Sequence, residues 1–341
     1  MRHRAPPAMT RIAIAGGGGF AFILAQEITS QSANPVLLIS RNPHPEFETS
    51  LPEIQIAQVP SYSDIDALRY ALQGIDLVIS TVSNADQLNL IDAARRARVS
   101  HFVPSEFEGD LAHRPAGEDP LDRGFGAARA LLERYHREGR MRYTVVSCGI
   151  LMERFAPGGM GAYVNMGLSQ GVVEAGAYLV DVAAGTAEVV LGMREEGAGG
   201  GGDAMVGLTS VFDVARFLGG AIEAGGLESW PREVRMRGDV MSVREVVGTC
   251  STARRVPFRM ITRTYREAQA LAEEARREND AARWFYYQRL LQTASGRYHV
   301  RGVNMAAVLG PQTAQAAGGA GAVFRPMRFR TWLEQVWGPA L

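Results

Sequence analysis

The apolar and polar positions divide the chain into a regular first half and a less regular second half. Ile12-Ala13-Ile14-Ala15 is an apolar run of strand length. Four consecutive glycines follow, Gly16 to Gly19, and then Ile23, Leu24 and Ile28 at helical spacing. Strand, glycine turn and helix in this order form the phosphate-cradling unit of a doubly wound nucleotide-binding fold. Further strands are predicted over 35–39, 54–59, 77–83, 101–104 and 143–147. Helices are predicted around Ile65, Leu68 and Leu72, over 84–98, and over 123–138. This alternation implies a parallel sheet with helices on both faces, and such sheets bind ligands outside the carboxyl ends of their strands.

Past Ile150 the rhythm breaks. The glycine-spaced stretch 156–176 reads as a long loop, a wall or lid for a substrate. Order resumes over 178–190, and 197–202 is low-complexity and expected on the surface. Ser210 or Asp213 caps a helix start, and Ser242 to Glu245 fits a capping box. The stretch 266–291 is predicted helical and holds four adjacent aromatics, Trp284 to Tyr287. These four cannot share one helix face. Core packing with a partly exposed edge is the plainer expectation, and a pocket or partner surface is the alternative. An Ala/Gly/Gln-rich stretch over 306–322 is expected to be mobile, and 329–334 closes the chain as a helix. The expected organisation is a disordered tail over 1–10, a Rossmann domain over 11–155, and a smaller α+β substrate domain over 156–341. Returning segments of the second half are allowed to pack on the sheet.

Composition narrows the partners. The 341 residues carry a formal net charge of zero, so nothing favours nucleic acid or an anionic membrane. No apolar run reaches membrane-span length, and the first residues lack the apolar core of a secretion signal. Two cysteines make no disulfide framework and suit a reducing, cytoplasmic setting. The six histidines have no metal-ligand spacing, so no metal site is expected. Every basic side chain other than histidine is arginine; the chain contains no lysine.

The strand ends supply the candidate site. Gly16, Gly18, Gly19 and Phe20 belong to the glycine turn, where the backbone must approach a pyrophosphate without a Cβ in the way. Phe22 takes the place of the third glycine of the fingerprint, which ordinarily allows close packing of helix on sheet. Arg41 follows the second strand, where an acid would bond the ribose of NAD and an arginine can pair with the 2′-phosphate of NADP. Thr81, Val82, Ser83, Pro104, Ser105, Cys148 and Gly149 converge on the same edge. Cys148 has no neighbouring base to activate it, and Ser105 reads as a capping or cofactor contact.

These pieces resemble the NmrA-like and isoflavone-reductase-like group of atypical short-chain dehydrogenases, particularly its fungal members. The matching segments are IAIAGGGGF, LVISTVS followed by QLNLIDAARRARV, HFVPSEFEGD and RYTVVSCGI. Farther along, TSVFDVARF, WPREVRMRGDVMSVREVV and FRTWLEQVWG also match. The resemblance implies an N-terminal Rossmann domain that binds NADPH, and a smaller domain that forms a substrate cleft. The family's reductases place a lysine on the helix after the PSEF segment. Here that place falls near Ala127, Ala128 or Arg129.

The implied activity is NADPH-dependent reduction of a small aromatic or polyketide-like secondary metabolite by a monomer or homodimer. Glu106 or Tyr163 would supply the proton, and Arg129 would hold an anion or polarise an oxygen, since arginine is a poor proton shuttle. The plainer readings are a structural carboxylate for Glu106 and a loop aromatic for Tyr163. Two alternatives stand beside this one. A redox-neutral isomerase, cyclase or dehydratase would use Glu106, Glu153 or Tyr163. An NADP-sensing regulator would need no catalysis.

Overall fold

The computed structural model describes residues 9–115, 117, 119–164, 178–192, 202–309 and 324–338, with only the backbone over 162–164. The first half runs β1 (Ile12–Ala15), α1 (Gly19–Gln31), β2 (Val36–Ser40), α2 (Pro45–Ser50), β3 (Gln55–Gln58) and α3 (Ile65–Ala71). It continues with β4 (Leu77–Ser80), α4 (Asn84–Arg96), β5 (His101–Val103), α5 (Phe125–Arg137) and β6 (Arg142–Tyr143). The six strands form one sheet in the order β3-β2-β1-β4-β5-β6, with every pairing parallel. This is the doubly wound Rossmann architecture expected from the alternation.

Period-two alternation assigns the faces. Ile12 and Ile14 of β1 enter one apolar core with α1, while Ala13 and Ala15 enter another under α3, α4 and α5. All four residues of β1 are wholly buried, which marks it as the central strand of a two-faced sheet. The expected sixth strand is divided at Thr144. Its first part, β6, pairs with β5; its second part, β7 (Val145–Ser147), pairs with a strand from the second half. Thr144 N donates to Phe102 O at 3.0 Å and its hydroxyl to Pro231 O at 2.7 Å, so one residue serves both neighbours.

The second half continues with β8 (Ile150–Leu151), α6 (Gly159–Val164), β9 (Val180–Asp181), β10 (Thr186–Val190), β11 (Met205–Thr209) and α7 (Val211–Ala224). Then come β12 (Glu233–Arg235), β13 (Asp239–Ser242), α8 (Val243–Arg254), β14 (Arg259–Arg263), α9 (Tyr265–Arg277), α10 (Ala281–Ala294) and α11 (Phe329–Trp337). β12 pairs with β7 in a separate two-stranded sheet, and β8 pairs with β11, which pairs in turn with β13. A third apolar core gathers β10, β11, α8, α10 and α11. Both expected caps are present. Ser210 accepts from Phe212 N, and Ser242 and Glu245 form a complete capping box.

Two expectations need correction. The stretch 266–291 is two helices, because Asn279 adopts φ +57° and Asp280 then caps α10 by accepting from Arg283 N. Tyr287 is buried in the third core while Trp284 and Tyr286 pack on its edge, so these aromatics serve the core. The second correction concerns Phe22. Its ring meets Phe47 of α2 edge to face at 5.0 Å and packs, partly buried, against the first core. Close helix approach occurs instead between α1 and α7. There a Cβ on Gly219 would come within 2.8 Å of Gln31 Nε2 and 3.2 Å of Glu27 O. Thus α7 returns from the second half to cover α1, in one core with it.

Candidate functional site

At the carboxyl end of β1 the backbone turns through Gly16, whose φ is +108°. A Cβ there would collide with Thr81 Oγ1, and one on Gly17 would collide with the His44 ring. Thr81 donates to Ala15 O at 2.8 Å, while His44 is fixed by Ser40 Oγ at 2.7 Å and Glu46 Oε1 at 2.9 Å. Glycine is therefore required at both places for close approach. Gly18 is the N-cap of α1; no side chain caps that helix and no acid stands in its first turn. Its first amides are left to a ligand or to water, as at an anion-binding helix start. Phe20, expected among the cofactor residues, turns its ring inward against Phe107 at 4.9 Å and offers only its backbone.

Arg41 leaves the end of β2 exposed, with its guanidinium 3.8 Å from Asp86 and 5.9 Å from the Tyr62 ring centre. Thr81, Val82 and Ser83 continue β4 toward the same edge, and all three are partly exposed. Ser105 N donates to Gln87 Oε1 at 2.6 Å, and the buried Gln87 Nε2 has no partner among the described residues. Pro104 is buried beneath this edge. Cys148 and Gly149 are not placed to touch a ligand. Cys148 Sγ donates to Phe107 O at 2.9 Å and burial pushes the thiol well above its ordinary range. Gly149, at φ +71°, lets the chain pass Gly207 O, which a Cβ would strike.

Ion pairs dominate the segment after β5. Glu106 is 2% exposed and is bonded by Arg114 through Nε and Nη2. Arg129 Nε lies 3.2 Å from its other oxygen and Arg297 Nη2 lies at 3.9 Å. The two catalytic candidates Glu106 and Arg129 thus face each other as a pair. Tyr163 lies on α6, but its side chain is outside the described residues. Glu153 is fully buried against the start of α7, accepting from Ser210 Oγ at 2.6 Å and Val211 N at 3.0 Å. Burial raises its carboxyl to about 7.

Several charged and aromatic residues beyond β5 were not among the candidates. Arg154 donates in two-pronged fashion to Glu108, through Nε at 2.7 Å and through Nη2, and Leu151 N adds a bond at 3.1 Å. Burial pushes the Glu108 carboxyl up, but the Arg154 charge and bonds outweigh it and hold it below its ordinary value. From α10, the Arg289 guanidinium stands 5.7 Å from the Tyr178 ring centre, and Tyr178 OH pairs with Thr293 Oγ1. Arg123 donates to Ser83 Oγ at 3.0 Å. Glu108 stood inside the PSEFEG segment, and an arginine-only chain was the available signal for the rest. A separate cavity of about 650 Å³ opens beside β13, lined by Arg237, Asp239 and Arg325 among others, and shares no residue with this edge.

The model of the NmrA-like family matches residues 10–187, from the glycine turn through β10's start. The chain belongs to the NmrA-like family. Among solved structures, AtPrR2 with NADP+ and (+)-pinoresinol superposes with a TM-score of 0.65 at 15% identity, over 97% of this chain and 100% of that one. An isoflavone reductase gives 0.64 at 16% identity, over 96% and 99%. The NADPH-dependent quinone oxidoreductase QOR2 of Escherichia coli, complexed with NADPH, gives 0.62 at 14% identity, over 95% and 99%. At these identities the likeness is one of fold. A search of curated proteins gives no match. Among the described residues no helix is long and apolar enough to cross a membrane, and no cluster of metal-binding side chains occurs.

Proposed function

We propose that the protein is an NADP(H)-dependent oxidoreductase acting on a small aromatic or polyketide-like molecule. The observation that carries this reading is the uncapped start of α1 behind Gly16 and Gly17, at the carboxyl end of the central strand. Side chains are excluded from that cradle while backbone amides remain unclaimed, so the residues present fit a pyrophosphate. Arg41, exposed past the end of β2, is our candidate for a 2′-phosphate, and Thr81 to Ser83 follow the next strand. The relatives crystallised with NADPH or NADP+ support the same cofactor. When bound, the nicotinamide supplies the hydride.

The chain's own groups must then hold the substrate and deliver a proton. Arg129, on the helix where the family resemblance puts a lysine, lies 3.2 Å from Glu106 as an ion pair, without a hydrogen bond between the facing atoms. A guanidinium stays protonated, so it polarises an oxygen and does not shuttle protons. The same pairing favours a second reading, redox-neutral isomerisation or cyclisation on this scaffold. Calorimetric titration of NADPH and NADH, followed by an NADPH-consumption screen over aromatic ketones and quinones, separates the two. NADPH preference with turnover supports the oxidoreductase, and absence of binding to either nucleotide rejects it.

A further inference from the structure

We propose that the cavity beside β13 is a second ligand site, one that takes a phosphate monoester of a small apolar molecule. This inference goes beyond the oxidoreductase reading and does not depend on it. At about 650 Å³ the cavity has the size of a small-molecule site, and inorganic phosphate alone would leave most of it unfilled. Three arginines line it, Arg237, Arg325 and Arg328, against one carboxylate, Asp239. That carboxylate is spent. Arg328 Nη1 donates to Asp239 Oδ1 at 3.1 Å, Val240 N to the same oxygen at 3.0 Å, and Phe329 N to Oδ2 at 3.3 Å.

The other two arginines share the cavity without a counterion. Arg237 Nη1 donates to Val300 O at 2.7 Å, and its guanidinium has no carboxylate within ion-pair distance among the described residues. Arg325 is exposed, and its guanidinium has no hydrogen-bond or ion-pair partner among the described residues. Asp213, which holds the same segment, is taken by Arg216 at 2.6 Å and by Met327 N at 2.6 Å. The stretch 310–323 just before this segment contains no charged residue. Two like charges lining one space repel each other, and one dianion relieves that repulsion better than one monoanion.

The walls are set before a ligand arrives. A Cβ on Gly238 would strike Met327 O, so glycine there lets the segment 324–328 pass against the β12–β13 connection. Gly238 N donates to Leu208 O at 2.8 Å on one wall, and Arg216 Nη2 donates to Arg325 O at 3.0 Å on the other. The main chain at both walls is thus anchored while the Arg325 guanidinium is left free, which lowers the ordering cost of binding. Val303, 41% exposed, and Pro326 add apolar surface beside the charges. A guanidinium fork suits phosphate oxygens, and the apolar surface suits the group esterified to them.

The test is calorimetric titration of the full chain with phenyl phosphate, inorganic phosphate and benzoate at about pH 7.5, where the monoester is a dianion. Phenyl phosphate is expected to bind with a Kd below about 1 mM, about fivefold more tightly than inorganic phosphate and about tenfold more tightly than benzoate. Arg325→Gln removes a guanidinium that holds nothing else in place, and should weaken phenyl phosphate about tenfold. Arg237→Gln should weaken it to a similar degree, and circular dichroism confirms that each variant is folded. No phenyl phosphate binding up to about 10 mM, or affinity unchanged in Arg325→Gln, overturns the proposal. In the second case, competition by NADPH would place the anion at the glycine turn instead. Inorganic phosphate or benzoate binding as tightly as phenyl phosphate would equally overturn the assignment to a phosphate monoester.

Discussion

The two ends of the sheet's carboxyl edge handle charge in opposite ways. Beside β1 and β2 the candidate anion site is built from backbone: glycines, an uncapped helix start, and one exposed arginine with a loose partner at 3.8 Å. Beyond β5 the site is built from side chains, with Glu106 and Glu108 enclosed by Arg114, Arg129, Arg154 and Arg297. Backbone amides survive every substitution but proline, although the turn itself needs glycine at positions 16 and 17. The first end can therefore keep a nucleotide site even with Phe22 in the fingerprint. Side-chain networks are replaceable piece by piece, and at the second end Arg129 lies 3.2 Å from the Glu106 carboxylate without a hydrogen bond between the facing atoms.

The largest effect is expected at the side-chain end. Glu106→Gln should cost about 4 kcal/mol of stability, because Arg114 and Arg129 lose a buried counterion. A urea midpoint unchanged by the substitution would show that the network is electrostatically idle. Next comes Glu153, whose carboxyl is raised by burial from 4.5 to about 7. The fold disfavours its ionised form, so the associated stability is full below pH 4.5 and is lost as pH rises through about 7. Glu153→Gln should therefore stabilise the protein by about 3 kcal/mol at pH 8 and have little effect at pH 4. Parallel stability curves for parent and variant between those values would refute this.

Effects at the backbone end are smaller. Phe22→Ala should remove about 2 kcal/mol of packing against Phe47 while leaving NADPH affinity alone. Tighter NADPH binding in that variant would mean that the ring crowds the nucleotide after all. Arg41→Ala should weaken NADPH about tenfold and NADH hardly at all. Equal losses for the two nucleotides would remove Arg41 from 2′-phosphate recognition.

The first-half architecture was legible because each strand there is a short apolar run bounded by glycine or polar residues. Ile12 to Ala15 is a strand at its expected bounds, and the caps at Ser210 and Ser242 depend only on local spacing. Contacts made at long range were not legible. Glu108 and Arg154 are 46 positions apart, and nothing in their surroundings marks them as partners. The division at Thr144 depends on which strand arrives on its far side, a matter of topology. The break between α9 and α10 carried a local signal, Asn279 followed by the capping Asp280, that the continuous helical pattern concealed.

The return of α7 onto α1 has a consequence for synthesis. Roughly 180 residues separate the end of α1 from the start of α7, which at about 5–20 residues per second takes on the order of ten to forty seconds to translate. Throughout that interval the growing chain carries an apolar helix whose cover has not yet left the ribosome. Expression of this protein should accordingly depend on chaperone supply, and slowing translation should lengthen the vulnerable interval.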